Sequence, residues 1–266
     1  MLDKRISPAR ICLLIIAATW LTIACQFKGV VPTFNIVRDK VIEILPAGKL
    51  DPETLEKLTI LWPGDMQMKP GAEQQLDVGI IECCYVFTPI KTRVVWSIEP
   101  DLGVSLDPES GLLTLDNTVK HGAQFVVTAN IEKGRRLLEK MVFVYTEVGN
   151  PFIGAWREKT QISCQDGSEY EPVERIGEVT FNAAGKMSVT WHPFEIYHDY
   201  WATYIYDLTL GTIEISEFDG GYIPPEMDPS GYFEFDANGD LILSDIWLGA
   251  PRDNPATTAC GHRLSR

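Results

Sequence analysis

Basic residues are scarce in this chain. Lysine and arginine together number 23 of its 266 residues, against 37 aspartates and glutamates, so the formal net charge is −14 at pH 7. An acidic surface repels phosphate backbones, and nucleic acid is therefore not expected as a partner. Hydrophobic residues make up 45% and charged residues 23%, which is typical of a globular protein. Solubility is a sufficient explanation for the excess of acidic residues.

Sequence motifs of enzymes and metal sites are also missing. The chain contains no Gly-x-Ser-x-Gly nucleophile turn and no phosphate-binding glycine loop after a strand. Two histidines and two carboxylates occur within residues 192–199, but Pro193 prevents a helix that would place them on one face. The stretch 236–240 lacks the distant glutamate of a calcium loop and fits an Asn-Gly hairpin turn. The sequence thus predicts no catalytic residues, no cofactor and no metal.

The N-terminal hydrophobic run is too short to span a bilayer. Residues 11–24 are nearly all apolar and number about 14, against roughly 20 for a membrane-spanning helix. Three basic residues precede them, as in a secretory signal peptide. The end of the run, Leu-Thr-Ile-Ala-Cys, resembles the lipobox of bacterial lipoproteins, although Thr22 stands where leucine is usual. The resemblance implies that residues 1–25 form the signal peptide with its lipobox-like end and that Cys25 receives diacylglycerol. Cleavage without lipid and an uncleaved anchor are the alternatives.

The cysteines agree with export. Four remain beyond the leader and Cys25, and four cysteines allow three pairings. Cys164 and Cys260 fall near the two ends of the second half of the chain, and we expect a disulfide between them worth about 2–5 kcal/mol. Cys83 and Cys84 are adjacent in a predicted strand, so their side chains point to opposite faces. One buried and one exposed thiol are expected there.

Residues 26–57 predict a tether followed by a short helix. Prolines at 32, 46 and 52 interrupt any long helix. Asp51, Pro52 and Glu53 have the order of an N-cap, a first-turn proline and an acidic first turn.

Residues 58–149 have the pattern of a β-sandwich. Short alternating strands recur about every ten residues, with turns such as Pro70-Gly71 and Lys133-Gly134 between them. The segments at 95–107 and 111–129, with a tryptophan at position 96, resemble the bacterial immunoglobulin-like domains of surface proteins. This resemblance implies a spacer or adhesion module with Trp96 in its core.

Residues 150–266 predict a small up-and-down barrel. Hairpins with short turns are expected at 177–191, 200–218 and 231–246, and a last strand through Cys260 brings the number of strands to about eight. The fold class is therefore all-β, a sandwich followed by a barrel.

The barrel resembles the lipocalin-like family. The residues that carry this resemblance are Gly154 and Trp156 near the start and Arg263 near the end. In lipocalins such an arginine can lie over the tryptophan and close the barrel base, so Trp156 and Arg263 are assigned to that position.

Strand alternation predicts which residues face the barrel interior. The expected inward set is bulky and apolar: Val179, Phe181, Met187, Val189, Trp191, Ile213, Ile215, Phe233 and Phe235. An eight-stranded barrel holds either packed side chains or one small ligand. So many bulky residues favour a packed interior, and an apolar cavity is the alternative.

A cluster of aromatic residues lies outside the regular strands. Trp191, Phe194, Tyr197 and Trp201 belong to one loop region, and Tyr222 to a second. They are the candidate ligand-binding residues, because aromatic loops at a barrel mouth can grip a hydrophobic ligand, a glycan or a partner. Alternatively, the long loop folds over the barrel end as a lid and hides the same rings.

Three functional hypotheses follow. The first is an extracytoplasmic binding protein of the bacterial cell envelope, anchored to the membrane by its N-terminal lipid. In it an immunoglobulin-like spacer presents a lipocalin-like barrel to a small apolar ligand, a glycan or an envelope protein. The second is a structural or adhesive envelope protein without a ligand. The third is a secreted hydrolase that uses the loop at 192–198.

Overall fold

The computed structural model describes residues 49–61, 66–82, 86–191, 198–251 and 259–266. Residues 1–48, with the leader, Cys25 and most of the tether, lie outside the described residues, as do Cys83 and Cys84. The described residues form one helix, α1 (Pro52–Lys57), and a series of strands. The strands up to residue 144 are β1 (Thr59–Ile60), β2 (Met66–Met68), β3 (Glu73–Gln75), β4 (Val78–Glu82), β5 (Val86–Pro89), β6 (Val94–Glu99), β7 (Val104–Leu106), β8 (Leu112–Leu115), β9 (Gln124–Ile131) and β10 (Arg136–Val144). Those that follow are β11 (Gly154–Ser163), β12 (Glu169–Tyr170), β13 (Glu178–Phe181), β14 (Lys186–Thr190), β15 (Tyr200–Asp207), β16 (Thr212–Gly220), β17 (Ser230–Phe235), β18 (Leu241–Ser244) and β19 (Ala259–Ser265).

Helix α1 begins as the sequence predicts. The Asp51 carboxylate accepts a hydrogen bond from the Thr54 backbone N–H at 2.9 Å, and Pro52 occupies the first helical position. Leu55 is the buried residue of the helix and joins the first core, which anchors this short element.

The first half of the chain folds as a sandwich. One sheet has the order β2-β10-β9-β6, and two smaller sheets have the orders β1-β4-β5 and β3-β8-β7. Strand β2 pairs with β10 in parallel, and the other strand pairs are antiparallel. Val127, Ala129 and Ile131 of β9 are fully buried and pack with apolar residues of the smaller sheets in one core. Alternation along β9 therefore decides which residues enter that core.

Trp96 lies in the sandwich core, as expected, and is 5% exposed. The backbone of Gly111 passes directly against its indole ring. A Cβ at Gly111 would lie 2.7 Å from the Trp96 Nε1 atom, and the glycine has a φ of 75°. Only glycine meets both requirements, which explains the glycine immediately before strand β8.

The second half of the chain is a closed up-and-down barrel. Eight strands pair in the order β11-β13-β14-β15-β16-β17-β18-β19, and β19 pairs back with β11. Each pair is antiparallel. The all-β class, with a sandwich followed by a barrel, is confirmed. The two-residue strand β12, which pairs with the outer part of β11, was not predicted.

The barrel interior is packed with side chains at the end where β11 begins. The ring of Phe152 lies 4.7 to 5.9 Å, between centroids, from five other aromatic rings. The nine residues predicted to face inward all belong to this core or pack against it. Packed rings at these distances leave the apolar faces in mutual contact rather than open to a ligand.

The predicted disulfide joins Cys164 to Cys260. It links the segment after β11 to strand β19 across 96 residues of sequence, with the Cα atoms 4.9 Å apart. The bridge thus ties the first barrel strand to the last, next to the seam where the barrel closes.

Candidate functional sites on the barrel

The barrel base is closed by Arg266 and not by Arg263. The guanidinium carbon of Arg266 lies 4.5 Å from the centre of the Trp156 ring. The prediction that Arg263 takes this place is wrong, because strand alternation turns it outward. His262 and Leu264 face the interior, and the same period of two brings Arg266 to the interior side. The sequence correctly indicates that an arginine near the end of the chain covers Trp156. It does not show the register of β19, which selects Arg266 rather than Arg263.

Arg266 also binds the connector, residues 149–153, which joins the sandwich to the barrel. Its Nη2 atom donates to the carbonyl oxygens of Pro151 at 2.7 Å and Ile153 at 3.2 Å. Tyr206 donates through its hydroxyl to the Gly149 carbonyl at 2.6 Å. The Asn150 side-chain amide donates to the Tyr204 hydroxyl at 2.8 Å. Backbone groups of the connector therefore find their partners on barrel side chains, which gives this end a structural role.

Arg263 belongs to an ion-pair network on the outer wall. Its guanidinium donates to Glu169 at 2.7 Å and to Asp236 at 2.7 Å. Hydrogen bonds from Arg263 hold the pKa of Glu169 below its ordinary value. The network crosses from β12 to the β17–β18 turn and reinforces the wall at β19.

The opposite end of the barrel contains two of the predicted ligand-binding residues in a packed cluster. Trp191 is 5% exposed, and its ring centre lies 6.0 Å from that of Tyr200 and 5.9 Å from that of Tyr222. Tyr200 is fully buried, and burial raises its pKa. Phe194 and Tyr197 lie outside the described residues, as does the histidine at 192.

Segment 246–250 covers this end of the barrel. Ile246 is fully buried, and Leu248 is 1% exposed. The hydroxyl of Tyr200 donates to the Leu248 carbonyl at 2.8 Å, and that of Tyr222 donates to the Ala250 carbonyl at 3.1 Å. The alternative of a lid formed by the loop after Trp191 falls on residues 192–197, which lie outside the described residues. Among the described residues, segment 246–250 covers this end.

A buried pair, the Glu158 carboxylate and the His262 imidazole, contacts segment 246–250 from the barrel interior. Glu158 and His262 have fully buried side chains, with Oε1 2.6 Å from Nδ1. The Leu248 backbone N–H donates to His262 Nε2 at 3.1 Å, and the Ile176 N–H donates to Glu158 Oε2 at 2.8 Å. The ring of Trp247 stacks on the imidazole at 4.8 Å with an interplanar angle of 4°.

The donor pattern defines the state of this pair. Because Nε2 accepts a backbone N–H, it carries no proton, so Nδ1 bears the hydrogen and donates it to Glu158. The imidazole is then neutral and the carboxylate charged. Sequence reasoning missed the pair because Glu158 stands among outward-facing charged residues. Glu158 faces inward by the same period of two as Trp156, and the bulge between Glu158 and Thr160 changes the alternation only beyond it.

Trp201 lies on the other side of the wall from Trp191. It is 43% exposed on strand β15, with its ring 5.4 Å from that of His198. The His198 Nδ1 atom lies 2.9 Å from the Thr190 hydroxyl, and burial lowers the pKa of His198. The structure thus separates Trp201 from the other described aromatic candidates.

Two open grooves lie on the outer wall. One has a volume of about 480 Å³ and lies over strands β15 to β17, where Ile205 and Tyr232 line it. The other, of about 450 Å³, contains the disulfide and Arg263. Both volumes fall within the roughly 300–1,000 Å³ of known ligand sites.

No metal-ligating cluster of three or more side chains occurs among the described residues. In the same part of the chain, no helix is long and apolar enough to cross a membrane.

The fold and sites define an all-β protein with a sandwich and a closed eight-stranded barrel, and the comparisons with known proteins add little. No protein-family model and no curated protein matches the chain. A crystal structure of a protein of unknown function from Bacteroides ovatus is 9% identical, with 78% of this chain and 92% of that chain covered and a TM-score of 0.24. Extracellular cadherin domains 3–6 of protocadherin gamma B2 are 8% identical, with 77% and 38% covered and a TM-score of 0.23. The chain thus spans well under half of that cadherin structure. Neither likeness supports an inference at these scores.

Proposed function

We propose that the chain is a lipoprotein of the bacterial cell envelope that binds a partner through the outer surface of its folded part. Residues 1–25 export it, and the lipid on Cys25 anchors it to the membrane. The disulfide between Cys164 and Cys260 is the observation that carries the extracytoplasmic location. Disulfides of this structural kind persist in oxidising compartments and are rare in the cytosol.

The sandwich serves as an immunoglobulin-like spacer in this proposal, and the barrel is lipocalin-like. The buried Trp96 beside Gly111 supports the first assignment. The closed meander, with an arginine over Trp156 in its first strand, supports the second.

A partner on the surface is favoured over a small apolar ligand inside the barrel. The interior at the base is packed around Phe152, and segment 246–250 closes the other end with its own hydrogen bonds. The grooves described above, in contrast, open on the outer wall. A purely structural or adhesive envelope protein is the remaining alternative, and it requires no groove at all.

Fractionation of cells tests the location. The chain should sediment with membranes, and its mass should show a diacylglyceryl group on Cys25. Cys25→Ser should abolish the lipid, whereas Cys12→Ser, a cysteine within the leader, should leave it in place. Intact, unprocessed chain in the cytosol would overturn the proposal.

Native mass spectrometry tests the mode of binding. The chain from Cys25 onward, purified from the envelope, should show the mass of the polypeptide with its diacylglyceryl group and no other bound molecule. An apolar small molecule that survives purification would contradict surface binding and favour an internal site.

A further inference from the structure

The larger groove combines exposed apolar side chains with a depression in the barrel wall. Ile205 on β15 is 66% exposed and Tyr232 on β17 is 57% exposed, and both line the groove of about 480 Å³. Leu208 and Leu210, in the adjoining turn, are 49% and 69% exposed. Exposed apolar residues that gather around one concave surface mark interaction sites more often than scattered ones do.

Uncompensated negative charge surrounds these apolar residues. Asp207, Glu214 and Asp245 line the same groove, and its described lining contains no lysine or arginine. None of the three carboxylates forms an ion pair with a described residue. The lining of the smaller groove differs in that it contains an arginine, Arg263, which pairs with Glu169. Low-dielectric walls with charge of one sign concentrate the field on a counter-charged ligand.

The backbone under the groove is specialised as well. A Cβ at Gly231 would lie 2.3 Å from the Ser244 carbonyl oxygen, so only glycine lets β17 approach β18 this closely. Asp245 follows with a φ of 58°, a left-handed conformation that aspartate and asparagine tolerate best among residues other than glycine. The Asp245 side chain is thereby held at the groove by a defined backbone turn.

We propose that this groove binds a basic segment of a partner protein, with lysine or arginine beside an aliphatic or aromatic residue. The cations would pair with Glu214 and Asp245, and the apolar side chain would pack on Ile205 and Tyr232. A neutral glycan would gain stacking on Tyr232 but would leave three neighbouring carboxylates without a counter-charge. The inference deepens the proposed function and rests on its surface-binding part.

Fluorescence polarisation with a defined probe tests the inference. The probe is a fluorescein-labelled heptapeptide, Lys-Trp-Lys-Leu-Lys-Trp-Lys, and the counter-probe has glutamate in place of each lysine. Both are titrated with the full detergent-purified chain in 0.15 M salt. Glu214→Gln with Asp245→Asn should raise the Kd of the basic probe about fivefold, since exposed ion pairs are individually weak. Asparagine keeps the left-handed turn at position 245.

Matched controls locate the binding. Glu234→Gln removes one charge from the lining of the other groove, the same change in charge as Glu214→Gln alone. It should raise Kd less than Glu214→Gln does, by less than about twofold. Tyr232→Ser leaves the net charge unchanged but should weaken binding of the basic probe. Non-specific attraction to an acidic protein would be the same in this variant and in the parent chain. Circular dichroism confirms that each variant is folded.

Three results would overturn the inference. One is equal affinity of the basic probe for the parent chain, the double variant and Tyr232→Ser. Another is binding of the neutral sugar chitohexaose, but not the basic probe, in a manner that depends on Tyr232. The third is self-association that Tyr232→Ser abolishes while the probe fails to bind. The assay uses purified protein, so a cytosolic location would contradict the proposed function but would not change the binding result. Conversely, a failed titration would not contradict the proposed export.

Discussion

Removal of the buried imidazole should destabilise the barrel strongly. In His262→Ala, the Glu158 carboxylate keeps only the Ile176 N–H at 2.8 Å and stays fully buried. A buried charge that loses its partner costs about 3–5 kcal/mol. The Leu248 N–H also loses its acceptor, and an unsatisfied buried N–H costs about 1–3 kcal/mol by itself. Both losses occur at the same site, so their costs do not add fully. We expect a loss of about 4 kcal/mol in the free energy of unfolding.

Glu158→Gln is the informative comparison. The amide oxygen still accepts from the His262 Nδ1–H, while the amide nitrogen faces the Ile176 N–H, which leaves two donors opposed. No buried charge remains, so the loss should be about 1–2 kcal/mol. The order of the two variants, rather than either value alone, identifies the pair as a charged carboxylate with a neutral imidazole.

Urea denaturation at pH 7, with the disulfide intact, measures the loss of unfolding free energy in both variants. Near-ultraviolet circular dichroism monitors the unfolding transition. His198→Ala serves as the control, because this half-buried histidine lies on the outer wall, and we expect it to lose less than about 1 kcal/mol. A loss below about 1 kcal/mol in His262→Ala, or a larger loss in Glu158→Gln, would refute the reasoning.

Three further outcomes can be measured. Replacement of Cys164 and Cys260 by serine opens a loop of 96 residues and should lower the unfolding free energy by about 4 kcal/mol in denaturant titrations; no change on reduction would contradict this. Arg266→Ala should cost about 2 kcal/mol, and Arg266→Lys should not restore it, because lysine lacks the planar fork that donates to two carbonyls. Glu169 has a lowered pKa, so its contribution is complete above its unfolded value near 4.3 and is lost as pH falls below it. In acid titrations of stability, Arg263→Gln should flatten that loss, and an unchanged pH profile would exclude the ion pair as its source.

The groove over strands β15 to β17 could not be predicted from sequence patterns. Ile205, Glu214 and Tyr232 are separated in sequence, and each has an ordinary explanation as a residue on an outward-facing strand. Glu214 lies opposite Ile205 across β15 and β16, and the β16–β17 register brings Tyr232 to the same surface. Pairing register is a tertiary property, since a shift of one residue turns every side chain to the other face.

Elements that depend only on neighbours along the chain could be predicted from the sequence. The N-cap at Asp51, the hairpins with short turns and the inward faces of β13, β14, β16 and β17 all follow from local propensity and a period of two. The pairing of Cys164 with Cys260 was also predictable, because the strands that close a meander barrel are the first and the last.

The positions where that period of two breaks, and the residues at each end of the barrel, depend on contacts in the folded chain. The pairing of β11 with β19 brings the inward-facing Glu158 to His262, and a bulge after Glu158 breaks the alternation of β11. The register of β19 sends Arg263 outward, while Arg266 covers the Trp156 ring. Alternation places Trp201 and Trp191 on opposite sides of the wall, although one aromatic stretch contains both. Bulges, register and loop docking arise from contacts between residues far apart in sequence, and no local pattern encodes them.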